Sequence, residues 1–87
     1  MLDSKPGYHV AEIPKGVLGE PSKIAEEHAE FQDAVSQGIK IMALVELADL
    51  YGAIKKYLEK HHPGVTFDDL DAMSFVTERA FINGRRA

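Results

Sequence analysis

The chain has 87 residues, 45% of them apolar and 28% charged, which bounds it to one domain of ordinary globular composition with a thin core of its own. Ten basic against 14 acidic residues leave a formal net charge of −4, which argues against general nucleic-acid binding. There is no cysteine, so disulfides and thiolate metal sites are excluded, and a cytoplasmic location is expected.

Residues 1–20 carry Pro6-Gly7, Pro14, Gly16 and Gly19. Such breakers mark turns rather than regular elements. Tyr8, Val10, Ile13, Val17 and Leu18 are spread among them, which predicts an ordered arm that packs on the body or on a partner. The opening residues Met1 to Gly7 have no apolar core of the kind a secretory signal needs.

The first helix is expected to begin at Pro21, a favoured first helical residue, and to end near Gln37 with Gly38 closing it. Ile24, His28, Phe31 and Val35 recur at helical spacing and predict its buried stripe, with His28 a core or interface histidine. Glu27 borders that stripe and Glu30 lies one step further round.

A second helix is expected from Ile39 to Glu59 or Lys60. Its first half, Ile41 to Ile54, is apolar nearly all round, which predicts a central helix. That run is too short to span a membrane. The second half is amphipathic, and His61-His62-Pro63-Gly64 ends it. Thr66 and Asp69 carry a capping-box pattern that starts a third helix. Asp68, Asp69 and Asp71 suit the positive end of its dipole. Phe67, Leu70, Met73 or Ser74, Thr77 and Phe81 form its stripe, and it should stop near Asn83-Gly84. The fold class is all-α. A three-helix core over residues 21–84 is expected to complete its bundle by homo-oligomerisation.

Within this pattern Glu46 and Asp49 are anomalous. Their neighbours are Leu44, Val45, Leu47, Ala48 and Leu50, and an unpaired buried carboxylate costs several kcal/mol. Spacing of i, i+3 puts Glu46 and Asp49 on one face, as it does Glu27 and Glu30. Taken alone, Glu-x-x-Glu is common on solvated helix faces. On two antiparallel neighbours joined by a short turn, however, the four acids converge. Four oxygen donors suit a hard cation, magnesium first with manganese as a substitute. Magnesium shares its shell with phosphates, which points to phosphate-ester or phosphoanhydride chemistry.

Lys23-Ile-Ala-Glu-Glu-His-Ala-Glu30 followed by Val45-Glu-Leu-Ala-Asp-Leu-Tyr51 resembles the E-x-x-E…E-x-x-D signature of the all-α nucleoside triphosphate pyrophosphohydrolases. This is the MazG-like superfamily, and the small size resembles its compact, often phage-encoded members. The resemblance covers about residues 20–84. It implies magnesium-dependent hydrolysis of the α–β phosphoanhydride of a (deoxy)nucleoside triphosphate, releasing monophosphate and pyrophosphate. It also implies a homodimer or homotetramer, in the host cytoplasm if phage-encoded. By this resemblance Glu27, Glu30, Glu46 and Asp49 are the metal carboxylates. Glu27 or Glu30 would also take the proton of the attacking water. Lys23, Lys56, Arg79, Asn83 and Arg85 are candidates to bind substrate phosphates. Two rivals stand beside this expectation. One is a non-catalytic helical interaction or regulatory protein. The other is a pyrophosphohydrolase of a phosphoribosyl nucleotide or an alarmone.

Overall fold

A computed structural model describes residues 9–82 and contains three helices, with no strand among the described residues. Helix α1 spans Pro21–Gln37, α2 spans Lys40–His61 and α3 spans Phe67–Ile82. Their limits follow from local chemistry. Pro21 opens α1, where its missing N–H costs nothing. Gly38 closes α1 at φ 76° and donates its N–H to the Val35 carbonyl at 2.9 Å. That left-handed conformation is the one glycine adopts without a Cβ penalty. At the head of α3, the Thr66 N–H donates to Asp69 Oδ2 at 2.8 Å and the Asp69 N–H donates to Thr66 Oγ1 at 3.2 Å. The capping box is therefore reciprocal.

The short Gly38-Ile39 link folds α1 back on α2, and these two helices share the broad interface of the chain. Among the described residues, helix α3 has no comparable contact with either. It joins the hairpin where Tyr51 stacks on Phe67, ring centroids 4.3 Å apart and planes 13° from parallel.

The buried faces differ from the apolar stripes. On α1 the buried residues are Glu26, Glu27, Glu30, Asp33 and Ala34. Ile24 and Phe31 are half-buried, while His28 and Val35 are exposed. On α2 the buried residues are Met42, Glu46, Ala53 and Leu58, whereas Ile41, Leu44, Val45, Leu47 and Tyr51 are exposed. The physical reason lies in what the acids find inside. Polar partners from the arm meet the acidic face of α1, so that face closes within the protomer. The apolar surface is left outside.

The arm is ordered from His9 onward. The Val10 and Ala11 N–H groups donate to the Asp33 carboxylate at 3.0 and 3.1 Å. The Gly16 N–H donates to Glu26 Oε1 at 2.9 Å, and the Val17 N–H donates to Ser22 Oγ at 3.0 Å. Tyr8, also read as part of the arm, lies outside the described residues.

Candidate metal centre

Five carboxylates are buried along the α1–α2 hairpin: Glu26, Glu27, Glu30, Asp33 and Glu46. They divide into two groups by what they touch. Glu26 and Asp33 hold the arm. Glu26 accepts from Gly16 N–H and from Lys23 Nζ at 3.1 Å. Asp33 accepts from His9 Nδ1 at 2.8 Å, from Val10 and Ala11 N–H, and from Gln37 Nε2 at 3.0 Å. Burial pushes both carboxyls up, but these donors outweigh it and hold each below its ordinary range.

Glu27 and Glu46 behave in the opposite way. One oxygen of each, Glu27 Oε1 and Glu46 Oε1, is buried without a hydrogen-bond partner. Such atoms are rare, and each calls for an explanation such as an ion or a water. Burial pushes the Glu27 carboxyl up, and Glu30 and Asp49 add to this against the opposing ammonium of Lys23. Burial, with Glu30 beside it, pushes the Glu46 carboxyl up to about 7. Raised carboxyls with vacant lone pairs are what a cation site looks like before its positive charge is counted.

Three of the four predicted acids share one cluster, and Glu30 lies in two neighbouring ones rather than in that one. Glu27, Glu46 and Asp49 each offer an oxygen within 4.8 Å of the others. Glu26, Glu27 and Glu30 form a second such group, and His9, Glu30 and Glu46 a third. Glu27 and Glu46 are closed off from solvent while Asp49 is exposed, so the first group opens outward through Asp49.

Of the predicted phosphate-binding residues, Lys23 lies at the cradle, its Nζ 3.2 Å from Glu27 Oε2. Burial works against its charge, but Glu26 and Glu27 outweigh that and hold the ammonium charged. Lys56 stands seven residues beyond Asp49, about 10 Å further along the axis, and pairs with Glu59 at 3.2 Å. Arg79 is exposed on the last turn of α3. Asn83 and Arg85 lie outside the described residues.

Sequence reasoning missed Glu26, Asp33 and His9. Their roles depend on how the arm docks, which no spacing within a helix reveals. A weak signal existed for Asp33, which follows Glu26 and Glu30 at i+7 and i+3 and so shares their face.

Compared with described protein families, with curated proteins and with solved structures, the chain gives no match.

Proposed function

We propose that this chain is a magnesium-dependent nucleotide pyrophosphohydrolase. It would cleave the α–β phosphoanhydride of a (deoxy)nucleoside triphosphate to monophosphate and pyrophosphate. The observation that carries the reading is the pair of buried, partnerless oxygens, Glu27 Oε1 and Glu46 Oε1. Both residues belong to the oxygen triad that Asp49 completes. Oxygen donors alone, one of them open to solvent, fit a hard divalent cation that keeps waters and shares its shell with phosphate. The likeness of Glu27-x-x-Glu30 and Glu46-x-x-Asp49 to the pyrophosphohydrolase signature supplies the reaction class.

Glu27, Glu46 and Asp49 would hold the ion, with Glu30 beside them. When bound, the metal lowers the pKa of water and neutralises phosphate charge. The rest falls to the chain. Lys23, charged and half-exposed at the rim, offers an ammonium to a phosphate oxygen. Glu27 or Glu30 accepts the proton of the attacking water. The upward push on Glu27 suits it to that task, since a base works best near the operating pH. One water adds across the anhydride, its oxygen to one phosphorus, while the bridging oxygen leaves with the other.

The exposed apolar residues of α2 support a homodimer or homotetramer. The same face would equally serve a non-catalytic interaction protein, so turnover decides between them. A panel of nucleoside triphosphates, a phosphoribosyl nucleotide and an alarmone, each with magnesium, is scored for pyrophosphate release. Turnover is expected for at least one. Glu46→Gln and Asp49→Asn should each lower it by about a hundredfold or more, as loss of a metal-held charge does, with the circular-dichroism melt still cooperative. No turnover on any nucleotide, together with a melting temperature indifferent to magnesium, overturns the reading.

A further inference from the structure

His9 enters the hairpin from the arm, and its side chain is 4% exposed. It lies outside residues 20–84, the stretch that carries the likeness to the pyrophosphohydrolases. Its ring bridges the two helices. Nδ1 lies 2.8 Å from Asp33 Oδ2 on α1, and Nε2 lies 3.1 Å from Glu46 Oε2 on α2, with Glu30 Oε1 further off at 3.7 Å. Asp33 is itself fixed by the Val10 and Ala11 N–H groups and by Gln37. This line of hydrogen bonds from arm to α2 ends on one oxygen of Glu46. The other oxygen, Oε1, is buried without a partner. Glu46 is thus divided: the arm holds Oε2, and Oε1 keeps its lone pairs. The last torsion of a glutamate is broad, so a carboxylate with neither oxygen held can turn. A hydrogen bond to Oε2 fixes its plane and with it the direction of Oε1.

We propose that His9 is a positioning residue of the metal centre: by holding Glu46 Oε2 it orients that carboxylate so that Oε1 is free for the cation shared with Glu27 and Asp49, and the docked arm is thereby part of the site. The proposal rests on the metal-centre reading above. Carboxylates that bind metals are commonly held from behind by such a hydrogen bond, and losing the partner weakens the metal. The electrostatics agree. A donor behind a metal carboxylate serves best when it brings little net positive charge toward the cation. Both ring nitrogens lie against carboxylate oxygens, so the ring donates from each. Asp33, which its donors hold below the ordinary carboxylate range, sets a negative charge against the far side of that ring. The Asp33–His9 pair therefore offers Glu46 a donor whose charge is balanced. Linkage then runs both ways. If the docked arm raises metal affinity, the metal tightens the docking of the arm by the same factor.

The test is magnesium binding by the full-length chain, read by calorimetry, together with amide exchange along the arm. Wild type should bind magnesium. His9→Leu keeps side-chain bulk but has no donor, and it should weaken magnesium by about 10–100-fold while the melt stays cooperative. His9→Gln, whose amide can still donate toward Glu46, should recover part of that loss. A histidine that merely fills space would show no such recovery. In wild type, saturating magnesium should slow exchange of the Val10 and Ala11 amides by a comparable factor, a readout that needs no variant and decides alone should His9→Leu not fold. Equal magnesium affinity in wild type and His9→Leu, or Val10 and Ala11 amides indifferent to magnesium, overturns the role of His9 and leaves the metal centre standing. A wild-type chain that binds no magnesium overturns the metal centre, and the role of His9 with it.

Discussion

Burial acts on each acid of the hairpin in the same direction, and the neighbours decide where each one ends. Glu26 and Asp33 meet N–H groups and cations and finish below the ordinary carboxylate range. Glu46 meets burial and Glu30, only partly opposed by His9, and finishes at about 7. For Glu46 the folded state therefore binds its proton more tightly than the unfolded chain does. Between the model-peptide range near pH 4.5 and about pH 7 the unfolded state has lost that proton while the native state keeps it. Metal-free stability should fall as pH rises through this window. The loss is on the order of 1–2 kcal/mol after allowing for solvent screening through the open Asp49 side. Glu26 and Asp33 act with the opposite sign: their contribution is present above the unfolded carboxylate range and is lost as pH falls through their lowered values. Urea melts across pH should thus show a maximum near pH 5. The alkaline slope should vanish in Glu46→Gln and flatten on adding magnesium. An apo protein equally stable at pH 5 and pH 8 contradicts this account. Spacing made Glu27, Glu30, Glu46 and Asp49 legible because an i, i+3 pair on each of two adjacent helices is a local property. His9, 37 residues from Glu46 along the chain, had no such signature.

The helix limits were legible for a similar reason. Pro21, Gly38 and the Thr66–Asp69 pair each act within a turn of where they stand. The faces were not, because apolar periodicity locates a helix's greasy side without saying whether this protomer or another copy covers it. The arm shows a further tertiary constraint, at Gly16. A Cβ placed there would come within 2.2 Å of the Ser22 carbonyl oxygen, on the first turn of α1, and a backbone atom cannot yield as a side-chain tip can. The arm crosses α1 at that point because glycine lets it. Gly16→Ala should lift this crossing and strain its hydrogen bond to Glu26, costing about 1–3 kcal/mol as overpacking does. Because Val10 and Ala11 are held by Asp33 on the same helix, their amides should exchange faster with solvent in the variant, while amides in the middle of α2 stay protected. Unchanged exchange at Val10 and Ala11 would show that the two arm contacts are independent.

At the scale of the molecule, the acid-lined hairpin leaves little apolar matter inside. The buried apolar residues among those described are Ala34, Met42, Ala53 and Leu58, two of them with side chains of a single carbon. Outside stand Ile41, Leu44, Val45, Leu47 and Tyr51 on α2, with Met73, Phe75, Val76 and Ile82 on α3. Ile41, Leu44, Ala48 and Tyr51 recur at helical spacing on the side of α2 away from Met42, Glu46 and Ala53. On the homo-oligomeric reading proposed above, a continuous face of this kind on so small a chain would be the interface. The same hydrophobic stripe on a second copy is its simplest complement, since a twofold contact is self-complementary. Burying a leucine side chain is worth about 1.5–3 kcal/mol, and in a twofold assembly every substitution counts twice. Leu44→Glu should therefore weaken self-association by about 3–6 kcal/mol, a hundredfold or more in Kd, and move the sedimenting species from oligomer to monomer at micromolar concentration. If a second copy covers this face, stability should follow, because a chain with so few buried apolar groups would then draw much of its core from the contact. The melting temperature of the wild type should then rise with protein concentration, and that of Leu44→Glu should not. A wild-type chain that sediments as a monomer at all concentrations would mean that something other than a second copy covers this face.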